Sequence, residues 1–193
     1  MYTGQNATLL EQIHSLRLKG MYPDHCIKGH YIELDSGSRF YDQGQRQTGK
    51  YCDSENATMK SSDWTKLNKN GPNWYRVTGR AGTRLATNHD IKVRLDNGQN
   101  QFYDHCGARG SGYLVGDHPK ELGETKSCSE KVREGNVCFD WNVKCEWSSC
   151  VTVTNCGVFY VYKLPDLNCT KQPSRYCTIW IVPYCFKSLL WKV

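Results

Sequence analysis

The sequence predicts a mainly β domain with small α content. It is expected to be compact, stapled by disulfides, rich in long loops and preceded by a short N-terminal helix. Three observations carry this prediction. Eleven cysteines lie among 193 residues, five of them between Cys128 and Cys156. From Cys26 onward, short apolar-aromatic runs alternate with glycine and asparagine turns, as short strands do. The clearest helical stripe precedes the first cysteine.

Residues 8–19 read as that helix. Thr8 and Glu11 form a capping box, Leu9, Leu10, Ile13 and Leu16 give an apolar stripe, and Lys19-Gly20 is a fitting stop. Residues 1–25 are set apart as an N-terminal leader, which leaves open whether the helix is detached from the core. Residues 31–34 look like a strand, followed by a turn at 35–38. Residues 74–78 look like a second. Residues 91–95 alternate and end at Asp96-Asn97-Gly98, a hairpin signal. The two best strands are 151–154 and 159–162, separated by Asn155-Cys156-Gly157. Residues 50–71 and 107–127 read as polar loops. The cysteine-rich domain spans 26–177, and 178–193 form an apolar tail. That tail is too short to cross a membrane, and Pro183 and Lys187 interrupt it.

Such cysteine density belongs to an oxidising compartment, where bridges persist. Eleven is odd, so at least one thiol lacks a partner within the chain. Zinc is the competing use of clustered cysteine. Here the gaps are irregular, no C-x-x-C occurs, and within the cluster Cys145 and Cys150 alone have a permitted spacing. No metal and no cofactor is expected. Sequons at Asn6, Asn56 and Asn168 agree with an extracellular, secreted or cell-surface location. The first residues lack a basic start and an apolar run, so that location expects a mature or partial chain.

The net charge is +6, with lysine and arginine spread along the chain. A solvated basic surface is the plain reading; an acidic partner such as a sulfated glycan or nucleic acid is the alternative. Gly79-Arg80-Ala81-Gly82 raises that alternative directly. A nucleic-acid clamp of this form lies between two helices, whereas Trp74 to Thr78 reads as a strand. A glycine-assisted turn between strands is the simpler expectation, with Arg76 and Arg80 pairing with carboxylates or covering aromatic faces. Among the six histidines, His105 adjoins Cys106. A Cys/His nucleophile pair needs a free thiolate, and Cys106 is expected to be bridged. His118-Pro119 reads as a turn. With no H-E-x-x-H and no G-x-S-x-G, the chain is expected not to be an enzyme.

Several longer stretches add a resemblance. Cys26-Ile27-Lys28-Gly29-His30-Tyr31-Ile32-Glu33-Leu34-Asp35, then Arg39, is similar to a "C…Y…LD…R" opening. Cys52-Asp53 and Trp74-Tyr75-Arg76-Val77-Thr78-Gly79 are similar to "CD…WYRFxG", with Ala81-Gly82-Thr83-Arg84 as "AGTR". His105-Cys106-Gly107, the segment from Tyr113 to His118-Pro119, and Val137-Cys138-Phe139-Asp140-Trp141 follow the same pattern. The stretch from Val153 to Leu164 is close to "VKNCGGFYVYKL". Together these resemble the cysteine-rich domain of the family of uromodulin, the zymogen-granule membrane glycoprotein and the liver-specific zona-pellucida-domain protein. The match covers roughly residues 26–177.

The resemblance implies bridges Cys26–Cys156, Cys52–Cys169 and Cys106–Cys177. The family cysteines that would partner Cys138 and Cys145 are missing here, so these two are expected to pair with each other. Cys128 and Cys150 are additional and form a candidate compensating bridge, which leaves Cys185 as the odd thiol. Trp74, Tyr75, Arg76, Gly79, Gly82, His118 and Pro119 become scaffold signature residues.

The resemblance also implies a non-enzymatic extracellular module that binds other proteins. In relatives, mannose-rich glycan on this module is recognised by bacterial fimbrial adhesins. The family sequon falls where this chain has Val161-Tyr162-Lys163-Leu164-Pro165, which carries none; Asn168 is the nearby candidate. The binding residues are otherwise unassigned. The alternatives are a polyanion or nucleic-acid binder using Arg76, Arg80 and Arg84, or a disulfide-rich hydrolase.

Overall fold

The computed structural model describes residues 3–41, 51–54, 57, 64, 74–90, 105–129, 135–140, 144–170 and 172–180, with side chains from residue 8 onward. The expected hairpin at 91–98, the side chains of Asn6 and Asn56, Cys185, and the tail after residue 180 lie outside the described residues.

A helix, α1, spans Thr3–Leu18, and eleven short strands follow among the described residues. They are β1 Ile32–Leu34, β2 Trp74–Val77, β3 Arg84–Leu85, β4 Gly110–Leu114, β5 Thr125–Ser127 and β6 Asn136–Asp140. The rest are β7 Trp147–Cys150, β8 Thr152–Asn155, β9 Tyr160–Lys163, β10 Ser174–Tyr176 and β11 Thr178–Ile179. One sheet has the order β1-β2-β9-β8-β5 and the second β10-β4-β6-β7; β11 and β3 form a separate pair. Pairing is antiparallel except for β1 with β2 and β10 with β4.

The two sheets share one stretch of chain. β7 belongs to one and β8 to the other, and only Val151 separates them. Its amide donates to the Gly135 carbonyl, at the start of β6, and its carbonyl accepts from Cys128, at the end of β5. The Cys128–Cys150 bridge closes this crossing, with Cα atoms 5.3 Å apart.

Period-two alternation builds the core. Tyr75 and Val77 point inward from β2 and meet Val153, Tyr162 and Leu164. Leu114, Val137, Phe139 and Tyr176 complete the layer from the other sheet. Trp64 is fully buried and stacks on Tyr75 with ring centroids 4.8 Å apart.

The stretch 107–127 is a loop in expectation but carries β4 and β5. Two glycines in Gly-Ser-Gly-Tyr-Leu hide the strand signal. They serve close packing: a Cβ on Gly112 would run into the Phe139 ring and the Arg175 carbonyl. Every residue of β4 is buried.

The helix begins five residues earlier than the capping box suggests, so Thr8 lies inside it. It is not detached from the domain. Leu9, Ile13 and Leu16 pack on Trp74, Phe159 and Val161, the outer side of the five-stranded sheet, beside Cys26 and Cys156. Tyr22 donates to the Cys156 carbonyl at 3.1 Å. At the other end, β11 continues past Cys177: Thr178 and Ile179 are buried and pair with β3.

Five bridges tie these pieces: Cys26–Cys156, Cys52–Cys169, Cys106–Cys177, Cys128–Cys150 and Cys138–Cys145. Cys138 and Cys145 have Cα atoms 4.8 Å apart, inside the range a disulfide allows.

A buried charge cluster joins three segments. Arg39 donates to both carboxylate oxygens of Asp53, at 2.5 and 2.7 Å, and all three side chains of Arg39, Asp53 and Arg175 are shut off from water. Removing one partner strands the others, so Asp53→Asn is expected to cost about 3–5 kcal/mol. Urea unfolding of the oxidised protein, followed by tryptophan fluorescence, measures it; a loss below about 1 kcal/mol would show the cluster to be dispensable.

Candidate functional site

The signature around Trp74 to Arg84 is scaffold in the structure. Trp74 stacks flat on the His25 ring, with centroids 3.9 Å apart, and His25 Nε2 meets Thr154 Oγ1 at 2.9 Å. Burial lowers the pKa of His25. Arg76 donates to the Tyr31 hydroxyl at 2.9 Å and holds its guanidinium 4.0 Å from the Phe159 ring centroid. Gly79–Ala81 form a single 3-10 turn, and Gly82 follows at φ +107°. A side chain at Gly82 would be strained and would overlap the Ile179 carbonyl. The turn therefore faces the β11 backbone rather than an anion.

Arg84 donates to Asp90 at 2.8 Å and lies 3.2 Å from His118 Nδ1. Arginine only donates, so Nδ1 accepts and the imidazole proton sits on Nε2. Nε2 then donates to the Tyr162 hydroxyl at 2.9 Å, which also accepts the Leu85 amide at 3.2 Å. Burial, then the charges of Arg84 and Lys126, push the His118 pKa down to about 3. Burial drives the Tyr162 pKa up in turn. Pro119 presents its carbonyl to Asn155 Nδ2 at 3.2 Å. The neutral His118 ring braces β3 against β9 and has both nitrogens engaged.

Among the described residues the catalytic alternatives find no geometry. Cys106 is bonded to Cys177, so His105 has no thiol beside it; its ring instead lies 4.8 Å from Tyr41. His118 reaches the Asp90 carboxylate only through Arg84. Among the described residues no three His, Cys, Asp or Glu side chains gather to hold a metal ion. Of the three arginines in the polyanion alternative, Arg76 and Arg84 are engaged by internal partners and Arg80 stands exposed. The buried Arg39–Asp53–Arg175 cluster is what sequence reasoning missed. Arg39 and Asp53 were visible as pattern residues, but nothing in their spacing tied them to Arg175.

The surface feature with chemistry is the loop after β9, residues 164–170. Leu167 is buried and its amide donates to the Asp53 carbonyl at 2.8 Å. Asp166 accepts Trp64 Nε1 at 3.0 Å and Ser54 Oγ at 2.9 Å. Cys169 is bridged to Cys52. Between these anchors Asn168 is exposed. Its Oδ1 accepts the Thr170 amide at 3.2 Å, an Asx turn. The neighbouring cysteine does not cover it, and Asn168 is the one sequon whose side chain is described.

A β domain with five bridges and an exposed sequon anchored on both sides has the make-up of an extracellular module. The family model of the uromodulin-like cysteine-rich domain matches residues 75–178, more than half of the chain, and the chain belongs to that family. It is 31% identical over 110 residues to uromodulin of Mus musculus. That alignment covers 54% of this chain and 14% of the mouse protein, so the chain corresponds to a small part of that relative.

The pKa of His118 sets a pH dependence. The folded value, about 3, lies below the unfolded one of about 6.5. Between these values the unfolded chain binds the proton and the folded chain does not, so this stability is present at neutral pH and is lost as pH falls. The slope is at most about 1.4 kcal/mol per pH unit. His118→Gln keeps one acceptor and one donor and cannot titrate. Its urea stability is expected to fall less than that of the parent between pH 7 and pH 4; parallel losses would contradict the assignment.

Proposed function

We propose that this domain acts outside the cell as a non-enzymatic interaction module, and that it presents an N-linked glycan on Asn168 to carbohydrate-binding proteins such as microbial adhesins. The observation that carries this reading is the mounting of Asn168. Leu167 on one side is buried and Cys169 on the other is bridged, so a glycan here would stand on a stem with little backbone freedom. Rigid presentation lowers the ordering cost when a partner binds. His118, Arg76 and Arg84 are engaged in bracing the fold, which fits a display role.

The test is expression in a secretory host that makes mannose-rich glycans, with the parent compared to Asn168→Gln. The parent is expected to carry glycan on the peptide containing Asn168 by mass spectrometry and to bind a mannose-specific fimbrial adhesin by interferometry. The variant is expected to lose that glycan and at least about tenfold in affinity, roughly 1.4 kcal/mol. An unmodified Asn168 in the parent, or undiminished adhesin binding by the variant, would sink the proposal.

A further inference from the structure

Four of the five bridges are seated in the core. Cys26 and Cys156 lie in the cluster under α1, Cys106, Cys177 and Cys138 in the cluster around Tyr113, and Cys169 packs against the main core. Each of these four bridges has at least one cysteine that is 3% exposed or less. Cys128–Cys150 has no such seat. Neither residue belongs to these core clusters, Cys150 is exposed and Cys128 is half-buried. A thiolate opens a bridge by attacking one of its sulfurs, so exposed bridges are the labile ones.

The strand that ends at this bridge has little else to hold it. β5 lies at the edge of its sheet, and all three of its residues are exposed. It is tied to β8 by its backbone ladder and two hydroxyl pairs, Thr125 with Thr154 at 2.8 Å and Ser127 with Thr152 at 3.0 Å. Such hydrogen bonds are traded for bonds to water when a strand leaves, so each holds it only modestly. The upstream end is pinned. The Asn155 amide donates to the Glu124 carbonyl at 3.0 Å, and the Gly123 amide to the Asn155 carbonyl at 2.8 Å. The downstream end is pinned at Cys128, by its amide on the Val151 carbonyl at 3.2 Å and by its sulfur on Cys150.

Cys138–Cys145 is the nearest competitor, because Cys145 is half-buried. There the Cys145 amide donates to the Asp140 carboxylate at 2.6 Å, so an attacking thiolate meets a like charge. We infer that Cys128–Cys150 is a thiol-exchange site, and that its reduction releases β5 as a strap from the edge of β8. A dithiol reductant supplies the two electrons. Its first thiolate attacks the Cys150 sulfur, a mixed disulfide forms, and the Cys128 sulfur leaves as a thiolate. The second thiolate of the reductant then displaces the Cys150 sulfur. The reductant leaves as a disulfide, and its two protons end on Cys128 and Cys150. Release of β5 uncovers the backbone donors and acceptors of β8, a new sheet edge. The other four bridges stay closed, including Cys52–Cys169 beside Asn168.

The experiment uses the full chain, oxidised, with its odd thiol first blocked by N-ethylmaleimide so that it cannot start exchange within the molecule. Dithiothreitol is added in graded amounts under native conditions. New thiols are trapped with heavy-isotope N-ethylmaleimide and mapped by peptide mass spectrometry. Cys128 and Cys150 are expected to be trapped together, at least about tenfold faster than the cysteines of any other bridge. Hydrogen exchange of the protein opened at this bridge is expected to be at least about tenfold faster at residues 125–128, with the amides of Tyr75 and Tyr162 unchanged. The double variant Cys128→Ser with Cys150→Ser is expected to show the same local exchange without reductant or label. Earlier opening of another bridge, loss of all five together, or opening of Cys128–Cys150 with exchange at β5 unchanged would overturn the inference.

Discussion

The carboxylate of Asp53 has no contact with water, and the fold is arranged around satisfying it. Arg39 closes on it with two hydrogen bonds, Arg175 lies 3.6 Å away and the Tyr176 amide donates at 2.9 Å. Its backbone is used as well: its amide donates to Ser174 and its carbonyl accepts from Leu167. A buried carboxylate is tolerable only when paired and fully hydrogen-bonded. Four distant segments must therefore arrive together: the turn at Arg39, the Cys52 segment, the loop at Leu167 and β10. The Cys52–Cys169 bridge, one residue from Asp53, holds the same junction covalently.

This constraint explains where charge is absent from the surface. Arg39 also covers Trp64, and Arg175 covers Tyr51, so two of the arginines serve as packing material. Arg76 does the same over Phe159 on the outer face. The net positive charge therefore overstates the basic surface available to a partner. Histidine is used in the same way: His25 is stacked on Trp74 and His118 is locked between Arg84 and Tyr162. Asn168, anchored beside the Asp53 junction, remains exposed.

Much of the fold was legible in the sequence. Alternating residues in β2 and β9 and the turn at Asn155 to Phe159 announced themselves through period two and glycine. β4 was hidden because its glycines answer to close packing of Phe139 rather than to strand propensity. The helix start was misplaced because Thr8-x-x-Glu11 is a local signal, and the chain upstream continues the helix. Bridge pairing could not come from spacing, since each cysteine could reach several others; it came from resemblance. The Asp53 cluster was illegible for the same reason, because a buried ion pair joins residues far apart in the chain, Asp53 and Arg175, with no local trace. Asn168 was legible as a sequon, but its rigid mounting was not.

Hydrogen exchange of individual amides tests the claim that Asp53 is the organising junction. The amides of Asp53, Leu167 and Tyr176 all end on this residue or on its pairing partner Ser174. Under native conditions they are predicted to exchange only through global unfolding, with the same opening free energy as the core amides of Tyr75 and Val153. Exchange of these three amides through a separate, low-energy opening while the sheet stays closed would contradict the account.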